Sequence, residues 1–394
     1  MTPDFHIEVN CQQNLHADER VCGDMFLTKK VHEEGRIIIV LSDGMGHGVK
    51  ANILGTLTAT MAINFTREHK EINKIAEIIM NTLPVDSEKK ISFSTFSIVD
   101  IEADGKVTIL EFENPQCLIV RGNQQLKTDW TILKMGNKRK IGREIKSFSF
   151  YAQKEDRIIL FSDGVSQSGM GSLQYPQGWG TDDTYNYVLQ QITKMGDISA
   201  SKLAYKVIAE AYKNDGFACK DDTSCAVIYF REPRKLIICT GPPFEEDKDK
   251  DLAKLLNEFN GRKIICGGTT GDIIARELKL AVADGQEQED PELPPLSFMQ
   301  DIDLYTEGIL TLSKVHKILG SYNNSYKLEK GPADQIVRMI LESDDILFLV
   351  GTRINEAHQD PKVPVELEIR RTIVRRIEKL LEEKFLKNVM VKFI

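Results

Sequence analysis

Two Ser-Asp-Gly triplets, Ser42-Asp43-Gly44 and Ser162-Asp163-Gly164, each close an apolar run, Arg36 to Leu41 and Asp156 to Phe161, that reads as a buried strand. The end of a strand in a packed sheet is an expensive place for an unpaired carboxylate. Two more acidic positions open strands: Asp24 after Cys22-Gly23, and the pair in Lys220-Asp221-Asp222-Thr223. A single triplet of this kind is a strand-to-turn corner with a solvated aspartate. Two copies ending strands, with an acidic pair opening another, predict carboxylates that converge at one edge of a β-sandwich. Such a cluster persists only if it is protonated or neutralised by cations, and all-oxygen ligation selects hard ions such as magnesium or manganese. Gly44 fits a metal site, because it lets a backbone carbonyl approach an ion while the chain turns into a helix beginning near Val49.

Around these acids, residues 5 to 160 alternate short β-type runs with one long helical pattern. Strands are expected at 24–28, 36–41, 91–101, 106–113, 116–121 and 156–161, and helices at 49–65 and 72–83. Helical periodicity returns at 185–195 and 199–212, and Asp-Asp-Thr-Ser-Cys-Ala-Val-Ile-Tyr-Phe reads as a closing strand. After Arg231-Glu232-Pro233 the pattern changes to alternating strand and helix: a strand at 235–240, a helix at 249–259, a strand at 262–266, and a glycine turn opening a helix in Gly-Gly-Thr-Thr-Gly-Asp. An acidic, proline-rich stretch at 284–295, a helix at 334–343, a strand at 345–350 and a basic helix at 365–385 follow. The expected fold class is therefore α+β, with a first domain over 1–233 and a smaller α/β domain with a mainly parallel sheet over 234–394.

A net charge of -8 disfavours nucleic acid or an anionic membrane as the main partner and points to a small ligand or another protein. The N-terminus lacks the basic start and apolar core of a signal peptide, and no long apolar run occurs, so a cytoplasmic location is expected. Seven cysteines form no Cys-x-x-Cys pair and are odd in number, which suggests reduced structural thiols rather than zinc ligands or a disulfide frame.

With Gly23-Asp24-Met25-Phe26, Leu41-Ser42-Asp43-Gly44-Met45-Gly46-His47-Gly48, Phe161-Ser162-Asp163-Gly164-Val165 and Lys220-Asp221-Asp222-Thr223-Ser224 in this order, residues 5 to 230 resemble the metal-dependent protein phosphatases, the protein phosphatase 2C group. The likeness is greatest to the bacterial branch of the stage II sporulation protein E phosphatase and the stress-regulator phosphatases. The resemblance implies an α/β/β/α sandwich of two antiparallel sheets. It also implies two Mn²⁺ or Mg²⁺ ions, with Asp43 bridging them, the Gly44 carbonyl on the second, Asp163 and Asp221 on the first, and Asp24 acting on the second directly or through water. The implied reaction is hydrolysis of phosphoserine or phosphothreonine by metal-activated hydroxide, and in related branches the substrate is a phosphorylated anti-sigma-factor antagonist. Asp222 is expected to assist Asp221, and either of the two suits the ligand position.

The chain also departs from that family pattern. Eukaryotic members carry a histidine directly after the metal-binding Asp-Gly, whereas this chain has Met45 there and the histidine at His47. His47 is a candidate general acid or simply the residue that caps the turn into the helix, and Arg20 is a candidate phosphate contact or a solvated charge. The glycine-rich stretch 166–180 reads as a substrate-side flap. A catalytically weak scaffold remains the competing reading. In the second domain, Gly267, Gly268, Thr269 and Thr270 open a helix where free amides favour an anion or serve as an ordinary N-cap; no phosphate-loop motif names a nucleotide. That domain is expected to sense a small anionic ligand or a regulatory partner, or to act itself on an anionic metabolite.

Overall fold

In the Arg36–Gly44 strand, successive side chains point to opposite faces, and Ile38, Ile39, Val40 and Leu41 are all buried, so both faces must be covered. Ile38 and Val40 pack with Ala59, Ala62 and Ile63 of the helix Gly48–Arg67. Ile39 and Leu41 pack with Ile158, Leu160, Ala226 and Ile228 of a second sheet. These contacts define the layers of the unit Met1–Glu232 in the computed structural model, which describes residues 5–68, 74–75, 78–79, 82, 94–133, 144–285, 288–322, 326–353, 363–385 and 387–394.

One sheet runs in the order Asp24–Val31, Arg36–Gly44, Ser94–Ile101, Lys106–Phe112, Ile145–Tyr151, Thr131–Leu133, and every pairing is antiparallel. The other runs His6–Asn14, Thr223–Arg231, Arg157–Phe161, Leu118–Arg121, Gln124–Gln125, again antiparallel. Its outer face, with Ile159, Phe161, Val227 and Tyr229, packs on Val188, Ile192, Leu203 and Val207 from the helices Thr181–Lys194 and Ala200–Asn214. The result is the α/β/β/α sandwich, and the α+β class expected from the sequence holds.

Most expected elements are present with shifted ends. The Arg36–Gly44 strand runs through the Ser-Asp-Gly triplet, so Asp43 lies within the ladder, not after it. The strands His6–Asn14 and Ile145–Tyr151 were not expected. The helix expected at 72–83 falls largely outside the described residues, although Ile75 and Ile79 are buried in the same cluster as the Gly48–Arg67 helix.

The unit Pro233–Ile394 is built on a sheet in the order Val282–Asp284, Ser297–Met299, Leu304–Thr306, Arg262–Cys266, Lys235–Thr240, Asp345–Val350, Asn388–Phe393. The last five strands pair in parallel and the first two pairings are antiparallel. Leu252 and Leu256 of the helix Asp249–Glu258, with Ile273 and Ile274 of the helix Gly268–Leu278, cover one face. Helices Ile309–Ser321, Pro332–Leu341 and Val363–Glu383 cover the other through Leu312, Val315, Ile336, Val337, Val374 and Ile377. The helix Ile309–Ser321, unexpected from the sequence, starts where Glu307 accepts the amides of Leu310 and Thr311.

Among the described residues no helix is long and apolar enough to cross a membrane. All seven cysteines are free.

Candidate metal-binding active site

The antiparallel register places Asp24 directly opposite Asp43 on the neighbouring strand, an arrangement of like charges that costs stability unless something neutralises them. The other sheet contributes Asp163, the first residue of the short helix Asp163–Ser166 that follows Arg157–Phe161, and Asp221-Asp222, immediately before Thr223–Arg231. Asp43 and Asp163 stand close enough to share a proton, and the charges of Asp24 and Asp221 also bear on Asp43. The structure therefore brings Asp24, Asp43, Asp163 and Asp221 together at one edge of the sandwich.

Their electrostatics follow from burial without cations. Asp24 is 2% exposed, and among the described residues neither carboxylate oxygen has a hydrogen-bond partner at normal distance. Burial pushes its carboxyl up to about 7; the nearby Ser224 and Ser162 hydroxyls pull it down, and the Asp222 and Asp163 charges add to the rise. Burial, then the charges of Asp24, Asp163 and Asp221, hold Asp43 well above the usual carboxylate range. Burial also raises Asp163, and burial with the Asp163 charge takes Asp221 up to about 6. Among the described residues no lysine or arginine is a main charge on the four, and the one favourable side-chain charge is His16, which lowers Asp221 slightly against the rise.

Among the described residues no three acidic, histidine or cysteine side chains converge on one point at ligating distance. The donor set nevertheless fits hard divalent ions: it is all oxygen, and it includes a buried carboxylate with no partner among the described residues. Gly44, the last residue of the same strand, adds a backbone carbonyl next to Asp43. A Cβ built there would lie 2.0 Å from the Ala51 carbonyl oxygen of the Gly48–Arg67 helix. Gly44→Ala is accordingly expected to cost about 3 kcal/mol or more, read as a lower urea midpoint or loss of soluble protein.

Asp222 is used differently. Its Oδ1 accepts the amide of His16 at 3.0 Å and its Oδ2 the amide of Gly23 at 2.8 Å, so it ties the loop before Asp24 to the closing strand. A Cβ on Gly23 would fall 2.8 Å from Asp222 Oδ2, so this close approach requires glycine. Asn52 reinforces the same loop by donating to the Cys22 carbonyl at 2.8 Å. Asp221 Oδ1, by contrast, accepts only the amide of Asp222, its own neighbour in the chain, at 2.8 Å.

At the rim, His47 immediately precedes the Gly48–Arg67 helix, but its side chain does not cap that helix. The imidazole is half exposed, meets Glu19 Oε1 through Nδ1 at 2.6 Å, and stacks on His16 with ring centroids 4.4 Å apart. The hydrogen bond to Glu19 raises the His47 pKa. Arg20 is exposed on the same loop. The flap segment is anchored at its base: Gly169 donates to Asp215 Oδ1 at 2.7 Å, Trp179 donates to the Ser168 carbonyl at 2.9 Å and is buried, and Leu173 is fully exposed at the tip.

Sequence reasoning missed the supporting hydroxyls. Ser162 Oγ accepts the amide of Ser224 at 2.9 Å, and Ser42 donates to the Thr95 carbonyl at 3.0 Å. The repeated serine before each aspartate was the available signal. Glu19 and His16 carried none, because only the fold brings them to His47.

In the second unit, Gly267 is the N-cap of the helix Gly268–Leu278, Thr269 is half-buried in its first turn, and Thr270 is fully buried.

The raised carboxylates make a pH prediction for the metal-free protein. Unfolded aspartates titrate near 4, whereas folded Asp24 titrates near 7 and Asp221 near 6. Between those values the folded chain holds protons that the unfolded chain has released, so stability falls as pH rises from about 4 to about 7. Thermal unfolding in chelator should show that decline, and added Mn²⁺ should flatten it, because a cation replaces the protons.

Fold and site together define a protein phosphatase 2C-type domain, the catalytic module of bacterial signalling phosphatases. The family model for stage II sporulation protein E (SpoIIE) matches residues 33–231, and the chain belongs to that family. Among solved structures, it is similar to the phosphatase domain of the cell fate determinant SpoIIE from Bacillus subtilis, at 16% identity, covering 58% of this chain and 94% of that one with a TM-score of 0.43. It is similar also to the RsbU and RsbW domains of Rv1364c from Mycobacterium tuberculosis, at 14% identity, 65% and 68% coverage and a TM-score of 0.46. A third is RsbX in complex with magnesium, at 16% identity, 57% and 96% coverage and a TM-score of 0.41. No curated protein sequence matches the chain.

Proposed function

We propose that the first unit is an active Mg²⁺- or Mn²⁺-dependent serine/threonine protein phosphatase. The observation that carries this reading is the buried Asp24 carboxylate, without a hydrogen-bond partner among the described residues and opposite Asp43 across the ladder, in a group of four acids whose charges raise one another. Asp43 would be shared by two ions, with Asp163 and Asp221 on one, and Asp24 and the Gly44 carbonyl on the other. When bound, the ions supply neutralisation of phosphoryl charge and activation of a water for in-line attack.

The chain's own residues do the rest. Asp222, with both oxygens engaged by backbone amides, positions the loop that carries Asp24. Glu19 holds His47 by Nδ1 and favours its protonated form, which suits His47 to give a proton to the departing serine or threonine oxygen. Arg20, exposed on the same loop, is the residue we assign to contact a substrate phosphate. None of the buried cysteines suits a thiolate mechanism, because burial raises their pKa values.

The substrate class is a phosphoprotein in a bacterial signalling pathway, with a phosphorylated anti-sigma-factor antagonist as the leading type, and the second unit is its regulatory or ligand-binding partner domain. Phosphate release from a phosphoserine peptide and from such an antagonist, with Mn²⁺ and with chelator, tests the proposal. Turnover that requires the metal is expected; a folded chain that releases no phosphate with Mn²⁺ present would overturn it.

A further inference from the structure

The second unit carries an edge that phosphatase chemistry leaves unused. Its parallel strands run in the chain order third, second, first, fourth, fifth, so the connections leave to opposite faces where Lys235–Thr240 lies beside Asp345–Val350. In open sheets of this topology the carboxyl ends of the strands form the ligand crevice. At that edge Gly267, at φ 130°, turns the chain from Arg262–Cys266 into the helix Gly268–Leu278. The first helical amide bond is Gly271 to the Gly267 carbonyl, so the amides of Gly268 and Thr270 have no carbonyl partner inside the helix. A Cβ on Gly268 would meet nothing within 4 Å, which leaves open space over that turn.

A helix start alone would mean little, but Thr270 adds an independent sign. Its hydroxyl is buried, with the residue 1% exposed, and has no hydrogen-bond partner among the described residues. A helical threonine usually bonds back to the carbonyl a turn earlier. Here the oxygen instead faces the N-cap glycine, 3.3 Å from where a Gly267 Cβ would stand. A second buried hydroxyl without a partner, Thr240 Oγ1, ends the adjacent strand in register with Cys266. Positive charge is present at the same edge, because a Cβ on Gly241 would lie 2.6 Å from Nη1 of Arg370.

We propose that this edge binds a small phosphorylated metabolite, its phosphate received by the amides at the start of Gly268–Leu278 and by the Thr270 hydroxyl. Glu307 stands on the neighbouring loop, with one oxygen accepting the amides of Leu310 and Thr311. A carboxylate there suits a ligand that brings hydroxyl groups beside its phosphate and disfavours one with a second anionic group.

The test uses the full chain with chelator present, so that metal in the first unit does not hold the anion, and calorimetric titration with inorganic phosphate. Saturable binding is expected. Thr270→Val should weaken it about tenfold, the worth of one hydrogen bond to a charged group, without lowering the melting temperature, since the hydroxyl has no protein partner to lose. Gly268→Asp should abolish binding while the chain stays folded, because the new side chain enters open space at a helix start that favours an acid. Asp43→Asn should leave phosphate affinity within about twofold. Absence of binding at millimolar phosphate overturns the proposal. So does binding that Thr270→Val and Gly268→Asp leave intact, or binding that only Asp43→Asn removes, which would place the anion in the first unit.

Discussion

Asp43→Asn is expected to lower metal-dependent phosphatase turnover by about 10³-fold or more and, in the same protein, to raise the melting temperature measured without metal. Both effects come from one carboxylate. In the folded chain Asp43 is half-buried opposite Asp24 and near Asp163, so its ionised form is opposed by desolvation and by like charge. An asparagine of the same shape removes that cost, so the metal-free variant is expected to melt above wild type at neutral pH. The same substitution removes the carboxylate to which the proposed mechanism gives the role of bridging two cations. Metal-free thermal scans and manganese titrations of wild type and variant measure the two effects separately. A variant that keeps near-wild-type turnover would refute the bridging role. One that loses turnover and stability together would point to a structural lesion instead.

The site was legible in the sequence because its acids are attached to strong strand signals. Arg36 to Leu41 and Arg157 to Phe161 are apolar at nearly every position, so the pattern alone fixes the aspartates at their ends to strand termini. What sequence could not show was how far a strand continues. Asp43 and Gly44 remain in the ladder because Ser42, Asp43 and Gly44 find partners in Phe96, Thr95 and Ser94, and that pairing depends on a strand more than fifty residues away. The missed strand His6–Asn14 has a period-two pattern in Ile7, Val9 and Cys11, but its other positions are polar because it lies at the sheet edge. Ile145–Tyr151 alternates as well, with Phe148 and Phe150 turned to the inter-sheet core, and its serines made it read as loop. In the second unit, the glycine before Ile309 hid a helix whose start depends on Glu307, a contact that only the folded turn supplies.

Adjacent acids posed the sharpest ambiguity, and the structure separates them by what each oxygen touches. Asp222→Ala is expected to destabilise the protein by about 2–5 kcal/mol, because it strands the buried amides that now donate to its two oxygens. Asp221→Asn should leave stability unchanged or slightly raised, since its pKa is pushed up to about 6 by burial and by Asp163, and the one amide it accepts can still be met by an amide oxygen. Its activity should nevertheless fall by about 10²-fold or more, with part of the loss recovered at higher Mn²⁺ because a weakened ligand set still fills at sufficient metal. Asp222→Ala should show no such recovery, because the lesion lies in the loop that carries Asp24 and not in the affinity of one oxygen for an ion. Urea midpoints and manganese titrations of the two variants decide between the roles. A large stability loss in Asp221→Asn, with manganese rescue confined to Asp222→Ala, would exchange the two assignments and move the direct ligand to Asp222.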